Sequence, residues 1–150
     1  MRFMVILLSA LLLSPLALAE SGLVTKSSPY SVDETLDRLE SVLTSKGITV
    51  VMRWNHAQKA ENADIALRPT ELLLFGNPKL GSHIMTSNQE AAIDLPMKAV
   101  AWEDSEGQVW LTYNDPEYIA RRHGIDDRNE IISKMVGALD KFSSAATRAK

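Results

Sequence analysis

The sequence predicts a single α+β domain of two layers, in which a mixed, mostly antiparallel sheet is packed by helices. Segments with apolar residues at helical spacing alternate with short β-branched and aromatic segments. Two of the β-type segments, Met97–Asp104 and Gln108–Tyr113, flank a short loop containing Gly107, which is the pattern of a β-hairpin. The predicted element order is β-α-β-α-β-α-β-β-α-α, and this mixture is typical of the α+β class.

The N-terminal residues 1–19 are predicted to be a signal peptide outside the fold. Arg2 precedes an apolar run, and Ala17-Leu18-Ala19 places small residues at alternate positions, as cleavage sites do. The run is shorter than the ~20 residues that a membrane-spanning helix needs. We therefore expect cleavage after Ala19 and a periplasmic or secreted domain of residues 20–150 without a membrane span. The alternative is an uncleaved N-terminal anchor.

Local signals define the first elements of this domain. Leu23–Ser28 is a β-type segment. Ser31 and Glu34 form a capping box, in which each side chain satisfies a free N–H group at the start of an amphipathic helix. Gly47 is placed to end that helix, and Ile48–Trp54 is the second predicted strand.

The middle of the chain contains a strand that runs directly into a helix. Asn55 can cap a short helix, and Glu71–Phe75 is mostly apolar, so we expect a strand in the interior of the sheet. Gly76-Asn77-Pro78 then ends the strand and supplies a cap and a first helical residue. Asn88–Asp94 is predicted to be a helical turn, and Leu95-Pro96 an extended exit from it.

The C-terminal part predicts two helices. Asn114-Asp115-Pro116 repeats the cap-and-proline pattern before a short helix, Tyr118–His123, which Gly124 ends. Asp126–Ala146 is the longest predicted helix. Its apolar residues lie on one stripe: Ile131, Ile132, Met135, Val136, Leu139 and Phe142.

Composition excludes several classes of function. The formal net charge is −3, which argues against a nucleic-acid surface or an anionic membrane surface. The chain has no cysteine, so it has no disulfide framework, no thiol catalysis and no thiolate metal site.

Several short motifs, taken together and in order, resemble domain-of-unknown-function family 302. They lie between Lys26 and Leu139: Phe75-Gly76-Asn77-Pro78, Asp94-Leu95-Pro96, Trp102-Glu103-Asp104, Gly107 and Tyr113-Asn114-Asp115-Pro116. The resemblance implies a compact α+β fold, a homodimer and a single domain that is often exported. It implies no biochemical activity and supplies no catalytic residues.

Three junctions join a predicted strand to a helix through an Asn or Asp cap: Trp54-Asn55-His56, Phe75-Gly76-Asn77-Pro78 and Tyr113-Asn114-Asp115-Pro116. If the three strands are parallel, the three helix N-termini open on one rim of the sheet. Helix N-termini attract anions, and Lys79 follows the second junction, so an anion would bind at Asn77–Leu80. The alternative is that these residues only cap helices.

The leading hypothesis is a non-enzymatic binding module for a small anionic or amphipathic ligand or a partner protein. Its predicted ligand-binding residues are Gly76, Asn77, Lys79, His83 and Tyr113, with His56 close by. One alternative is an acid–base enzyme, a hydrolase or isomerase, that uses His83, Asp94 and Tyr113. Another is a dimerisation or assembly protein without a pocket.

The histidines match no metal-binding spacing, and we expect no metal and no cofactor. A soft Cu(I) site is the alternative, and its candidate ligands are His56, His83, His123, Met52, Met85 and Met97. Trp102 and Trp110 lie on the two arms of the hairpin and can pair across it. Such a pair would serve core or dimer packing, or form an aromatic wall for a ligand.

Overall fold

The computed structural model describes residues 21–149, so the predicted signal peptide and its cleavage site lie outside the described residues. The strands are β1 (Leu23–Ser28), β2 (Thr49–Asn55), β3 (Thr70–Gly76), β4 (Met97–Glu103) and β5 (Val109–Asn114). The helices are α1 (Val32–Ser45), α2 (His56–Glu61), α3 (Pro78–Ser87), a 3-10 turn (Gln89–Ile93), α4 (Pro116–Arg122) and α5 (Asn129–Thr147). The predicted element order and the α+β class are confirmed.

The five strands form one sheet in the order β1-β5-β4-β3-β2, and every neighbouring pair is antiparallel. The sheet therefore contains no parallel pair, although the sequence predicted a mixed one. β3 lies inside the sheet, between β2 and β4, as its apolar sequence predicted. The β4–β5 hairpin is present, and Gly107 in its loop has a φ of 78°, which favours glycine.

The predicted caps at Ser31 and Asn77 are confirmed, but among the described residues the Glu34 carboxylate accepts no hydrogen bond, so only the Ser31 half of the predicted capping box forms. The Ser31 hydroxyl accepts a hydrogen bond from the Glu34 N–H at 3.1 Å, and α1 follows. Asn77 and Pro78 occupy the cap and first-turn positions of α3. α5 starts at Asn129 rather than at Asp126, and no side chain caps it. Local hydrogen bonding at the ends thus explains where most helices begin.

Helices α1 and α5 pack on one face of the sheet and enclose the core. Leu36, Leu43, Leu73 and Leu111 are each 0% exposed at the centre of this layer. Burying one leucine side chain contributes roughly 1.5–3 kcal/mol, so these residues dominate the stability of the fold.

The opposite face of the sheet, which we call the open face, remains partly exposed. The alternation of strand residues places sixteen residues there: Leu23, Thr25, Ser27, Thr49, Met52, Trp54, Thr70, Leu72, Leu74, Gly76, Lys98, Val100, Trp102, Trp110, Thr112 and Asn114. Along β3, Leu72 and Leu74 are half-buried, whereas Glu71, Leu73 and Phe75 on the helix face are buried. The sheet thus has one covered side and one accessible apolar side.

Candidate functional site

An apolar pocket of about 330 Å³ lies at the edge of the sheet where β3 ends. Its walls come from the start of β2, the end of β3, α3, the segment before β4, and one side of α1 and α5. The apolar residues on these walls are Leu43, Ile48, Val51, Phe75, Gly76, Pro78, Leu80, Gly81, Met85, Leu95, Pro96, Met97, Met135, Ala138, Leu139 and Phe142. We call this cavity the apolar pocket.

The junction between β3 and α3 forms one wall of the apolar pocket. Asn77 Oδ1 accepts a hydrogen bond from the Lys79 N–H at 3.0 Å, which starts α3 directly after the strand. A Cβ atom at Gly76 would lie 3.4 Å from Pro96 Cβ, so the strand end and the Pro96 segment approach closely. A Cβ atom at Gly81 would lie 3.9 Å from Leu95 Cδ1. The absence of a side chain at Gly81 therefore leaves the pocket open on this side.

The lining favours the apolar part of a ligand. Its polar residues are Thr49, Asn77 and Ser82, and no charged residue of the described chain belongs to it. Three methionines, Met85, Met97 and Met135, are among the walls. Methionine side chains are flexible and polarizable, so they can adapt to apolar ligands of differing shape. The volume lies at the lower end of the ~300–1,000 Å³ typical of small-molecule sites.

Only some of the residues predicted to bind a ligand lie in the lining of the apolar pocket. Gly76 and Asn77 line the apolar pocket. Lys79 and His83 lie on α3 but are exposed and lie outside the lining. The Lys79 N–H, which was expected to orient an anion, is already bonded to Asn77. Capping therefore accounts for this N–H group.

Tyr113 lies in the interior rather than on a rim. It is 5% exposed on the helix face of β5. Burial raises the pKa of its hydroxyl, and a hydrogen bond with Ser143 partly offsets this effect. Tyr113 thus joins the sheet to α5.

His56 and the apolar pocket lie at opposite ends of the strands. β2 runs antiparallel to β3, and Asn55 pairs with Glu71 at the start of β3. The prediction that three helix N-termini share one rim is therefore wrong for the first junction. β3 and β5 run in the same direction, so the second junction, at Asn77, and the third, at Asp115, lie at the same end of the sheet.

The groups of the acid–base alternative do not converge. Asp94 Oδ2 lies 2.6 Å from Nε2 of His123, and Arg122 contacts the other carboxylate oxygen at 3.3 Å. Within residues 21–149, the structure shows no hydrogen bond between Asp94 and His83. The sequence predicted His123 as a helix end and as a candidate Cu(I) ligand. Its pairing with Asp94, which lies 29 positions earlier in the chain, has no signal in the local sequence.

Sequence reasoning missed the helix side of the pocket. Met135, Leu139 and Phe142 were predicted as one apolar stripe of α5. Part of this stripe faces the apolar pocket, and the rest packs against the core. The spacing of apolar residues predicts that a helix has an apolar side. It does not predict that a cavity lies between that side and the neighbouring elements.

The predicted tryptophan pair is present. Trp102 and Trp110 occupy opposite positions of the β4–β5 hairpin, and their ring centroids are 6.4 Å apart. Both rings lie on the open face and do not line the apolar pocket. The two tryptophans therefore form no wall of this pocket.

Comparison with known proteins gives a family and a fold. Residues 24–142 match the family model described as "Domain of unknown function DUF302". A crystal structure of an uncharacterized conserved DUF302 protein from Bacillus stearothermophilus superimposes with a TM-score of 0.77 at 19% identity. The superposition covers 86% of this chain and 100% of that one. At this level of identity the match shows the fold alone.

Curated relatives in Brucella are named for a channel. The chain is 39% identical over 132 residues to proteins named "Fluoride-specific ion channel FluC 1" in Brucella suis biovar 1 and Brucella abortus biovar 1. The match covers 85% of this chain but 52% and 49% of those proteins, so the chain spans about half the length of the curated relatives it matches. Among the described residues, no helix has the length and apolar character needed to cross a bilayer.

Proposed function

The chain belongs to the DUF302 family, and we propose that it is a non-enzymatic binding module for a small apolar or amphipathic ligand. The observation that carries this proposal is the apolar pocket of about 330 Å³ at the end of β3. An uncharged lining of this size binds an alkyl chain or another apolar group by removing it from water. About half of each Brucella relative lies outside the match, so channel activity is not part of the proposal.

We also propose that the Lys79 ammonium group recognises an anionic head group of the ligand. The ammonium group is exposed on the first turn of α3, next to Asn77 and Pro78 of the pocket wall. A ligand whose alkyl chain fills the pocket can therefore keep its head group in water near Lys79. At such an exposed position the charge contributes only about 0–1 kcal/mol, so the apolar chain supplies most of the affinity.

We further propose that the domain acts in the periplasm or outside the cell after cleavage behind Ala19. The sequence signals of the leader support this location. N-terminal sequencing of the protein recovered from the periplasmic or culture fraction tests it, and Glu20 is the expected first residue. A chain that retains Met1 or Arg2 in the cytoplasm would contradict the location.

A chain-length series tests the binding proposal. Linear alkanols from hexanol to dodecanol are titrated calorimetrically into the purified protein. Each added methylene contributes about 0.8 kcal/mol, so we expect affinity to rise about fourfold per carbon until the chain exceeds the pocket. Gly81→Leu fills the pocket with a side chain that a helix tolerates, and we expect it to abolish binding. Equal affinities across the series, or full binding by Gly81→Leu, would refute the proposal.

Head groups are compared in a separate arm of this experiment. Alkanoates and alkanols of equal length differ in the charge near Lys79. We expect Lys79→Ala to weaken alkanoate binding by up to about fivefold and to leave alkanol binding unchanged. Lys59→Ala is the matched control, because Lys59 lies on α2 at the other edge of the sheet. An unchanged alkanoate affinity in Lys79→Ala would remove Lys79 from the site.

A second candidate is an acid–base enzyme that uses Asp94 and His123 in place of the predicted set of His83, Asp94 and Tyr113. Asp94 and His123 form a pair whose side chains are 12% and 7% exposed. A partly buried His–carboxylate pair is common in catalytic sites. Neither residue lines the apolar pocket, although Leu95 beside Asp94 does. An enzyme of this kind would lose its activity in His123→Gln, whereas we expect alkanol binding to persist in that variant.

A further inference from the structure

β2 is an edge strand whose outer side is free. In the part of the chain that the structure describes, β2 pairs only with β3. Its residues Val51, Met52 and Trp54 are 57%, 42% and 40% exposed. Val51 has no partner in β3, so it forms a bulge, and residues 52–55 are the regular stretch. A free edge presents backbone N–H and C=O groups, and exposed apolar residues beside them favour the addition of another strand.

A row of carboxylates on α1 lies beside β2. Asp33, Asp37 and Glu40 are four and three positions apart, so they occupy one side of the helix. Their carboxylate oxygens lie 3.8, 2.5 and 4.0 Å from the guanidinium group of Arg53, which is the charged residue of β2. The three acidic side chains are 77%, 67% and 42% exposed, so a molecule bound along β2 can reach them.

The carboxylates around Arg53 outnumber its single positive charge. Glu71 on β3 also contacts this guanidinium group, at 2.9 Å, so four acidic groups surround one basic group and leave a net charge of −3. A charged residue in an edge strand often prevents the addition of another strand. Here the charge of Arg53 is more than balanced, so the helix side of this edge attracts basic side chains. Because the carboxylates of α1 are exposed, the attraction is modest and weakens with salt.

The other side of β2, which belongs to the open face, has a different chemistry. Met52 and Trp54 are exposed there, and the Lys59 ammonium group lies 5.1 Å from the centre of the Trp54 ring. Side chains of an added strand alternate between the two sides of the sheet. Apolar side chains suit the open-face side, where they contact Met52 and Trp54 and where Lys59 repels a basic residue. Basic side chains suit the helix side, beside the carboxylates of α1.

We propose that β2 binds an extended segment of a partner protein in which basic and apolar residues alternate. The segment adds a strand to the free edge and forms main-chain hydrogen bonds along residues 52–55. Its basic side chains reach the three carboxylates of α1, and its apolar side chains cover the exposed apolar residues of β2. The apolar pocket shares only Thr49 and Val51 with β2, so this proposal does not rest on the proposed ligand binding.

Fluorescence anisotropy with labelled synthetic hexapeptides, in about 20 mM salt, tests the chemistry of the segment. We expect a peptide of alternating lysine and valine to bind saturably. A peptide with three lysines followed by three valines should bind at least about tenfold more weakly, because its side chains cannot divide between the two sides of a strand. A peptide of alternating glutamate and valine should not bind. Equal affinities of the two lysine peptides, or no binding of the alternating one at about 1 mM, would overturn the proposal.

Charge variants test the role of α1. The double variant Asp33→Asn and Glu40→Gln removes two of the three carboxylates and keeps Asp37, whose contact with β2 is the shortest. We expect it to bind the alternating lysine peptide about tenfold more weakly. Asp126→Asn with Glu130→Gln is the matched control, because it removes the same charge before and at the start of α5. Equal weakening in both double variants, or none in the first, would contradict the proposed role of α1.

Amide hydrogen exchange, measured by NMR with and without the alternating lysine peptide, locates the added strand. Main-chain hydrogen bonds slow the exchange of the N–H groups that make them. We expect slower exchange within residues 52–55 and unchanged exchange along β1 (Leu23–Ser28), the other edge strand. Protection confined to β1 or to the helices would place the peptide elsewhere and overturn the assignment to β2.

Discussion

Replacing Gly81 by alanine tests the relation between α3 and the apolar pocket. Gly81 lies inside α3, where alanine is more favourable than glycine by about 0.8–1.0 kcal/mol. The added methyl group would lie 3.9 Å from Leu95 Cδ1, which is an ordinary van der Waals contact without strain. We therefore expect Gly81→Ala to raise the free energy of unfolding by about 1 kcal/mol and the Tm by about 3 °C. Ligand affinity should fall at the same time, because the methyl group occupies space in the pocket.

Gly137→Ala is the control for helix propensity. Gly137 lies inside α5, and a Cβ atom there meets nothing within 4 Å. Both variants are unfolded in urea with tryptophan fluorescence as the signal, and both are titrated with decanol. We expect equal stabilisation, but about fourfold weaker decanol binding in Gly81→Ala alone. A destabilised Gly81→Ala beside a stabilised Gly137→Ala would refute the described packing of α3 on Leu95.

Three further predictions concern the core. Tyr113→Phe should cost about 1 kcal/mol at pH 7, because the bond with Ser143 is lost. Burial in the folded state raises the pKa of the Tyr113 hydroxyl, so the wild type's free energy of unfolding should fall as the pH rises above about 10. Urea titrations at pH 9–11.5 measure this fall, and Tyr113→Phe should not show it. Glu71→Ala removes the carboxylate whose two oxygens contact the Arg53 guanidinium at 2.9 and 3.0 Å, and it should lower the free energy of unfolding by about 2 kcal/mol in the same assay. An unchanged urea midpoint would contradict the ion pair. Leu73→Ala should cost roughly 2–5 kcal/mol, since this side chain is fully buried, and a cost below 1 kcal/mol would place Leu73 outside the core.

Local patterns in the sequence predicted most of the secondary structure. The Ser31 cap, the Asn77-Pro78 helix start and the Gly107 hairpin are each encoded within a few residues, and the structure contains all three. These features depend on hydrogen bonds between near neighbours, which the sequence displays directly. The start of α5 was less well predicted, because no side chain caps it.

The direction of β2 could not be predicted in this way. Residues 56–69 separate β2 from β3, and a connection of this length can serve a parallel crossover or an antiparallel return. Only the pairing of whole strands decides between the two, and it places His56 away from Asn77. The apolar pocket was missed for a similar reason. It arises from a gap between α3 and α5, and a gap between distant elements has no residue pattern of its own.

A heavy-atom ligand locates the bound molecule most directly. Crystals of the protein are soaked with 8-bromo-1-octanol, and bromine positions are found from anomalous scattering. We predict a peak inside the apolar pocket, between α3 and α5 and close to Phe142, and no such peak in crystals of Gly81→Leu. Bromine bound only on the open face, or an empty pocket at a concentration that shifts the Tm, would contradict the proposal that this pocket binds the ligand.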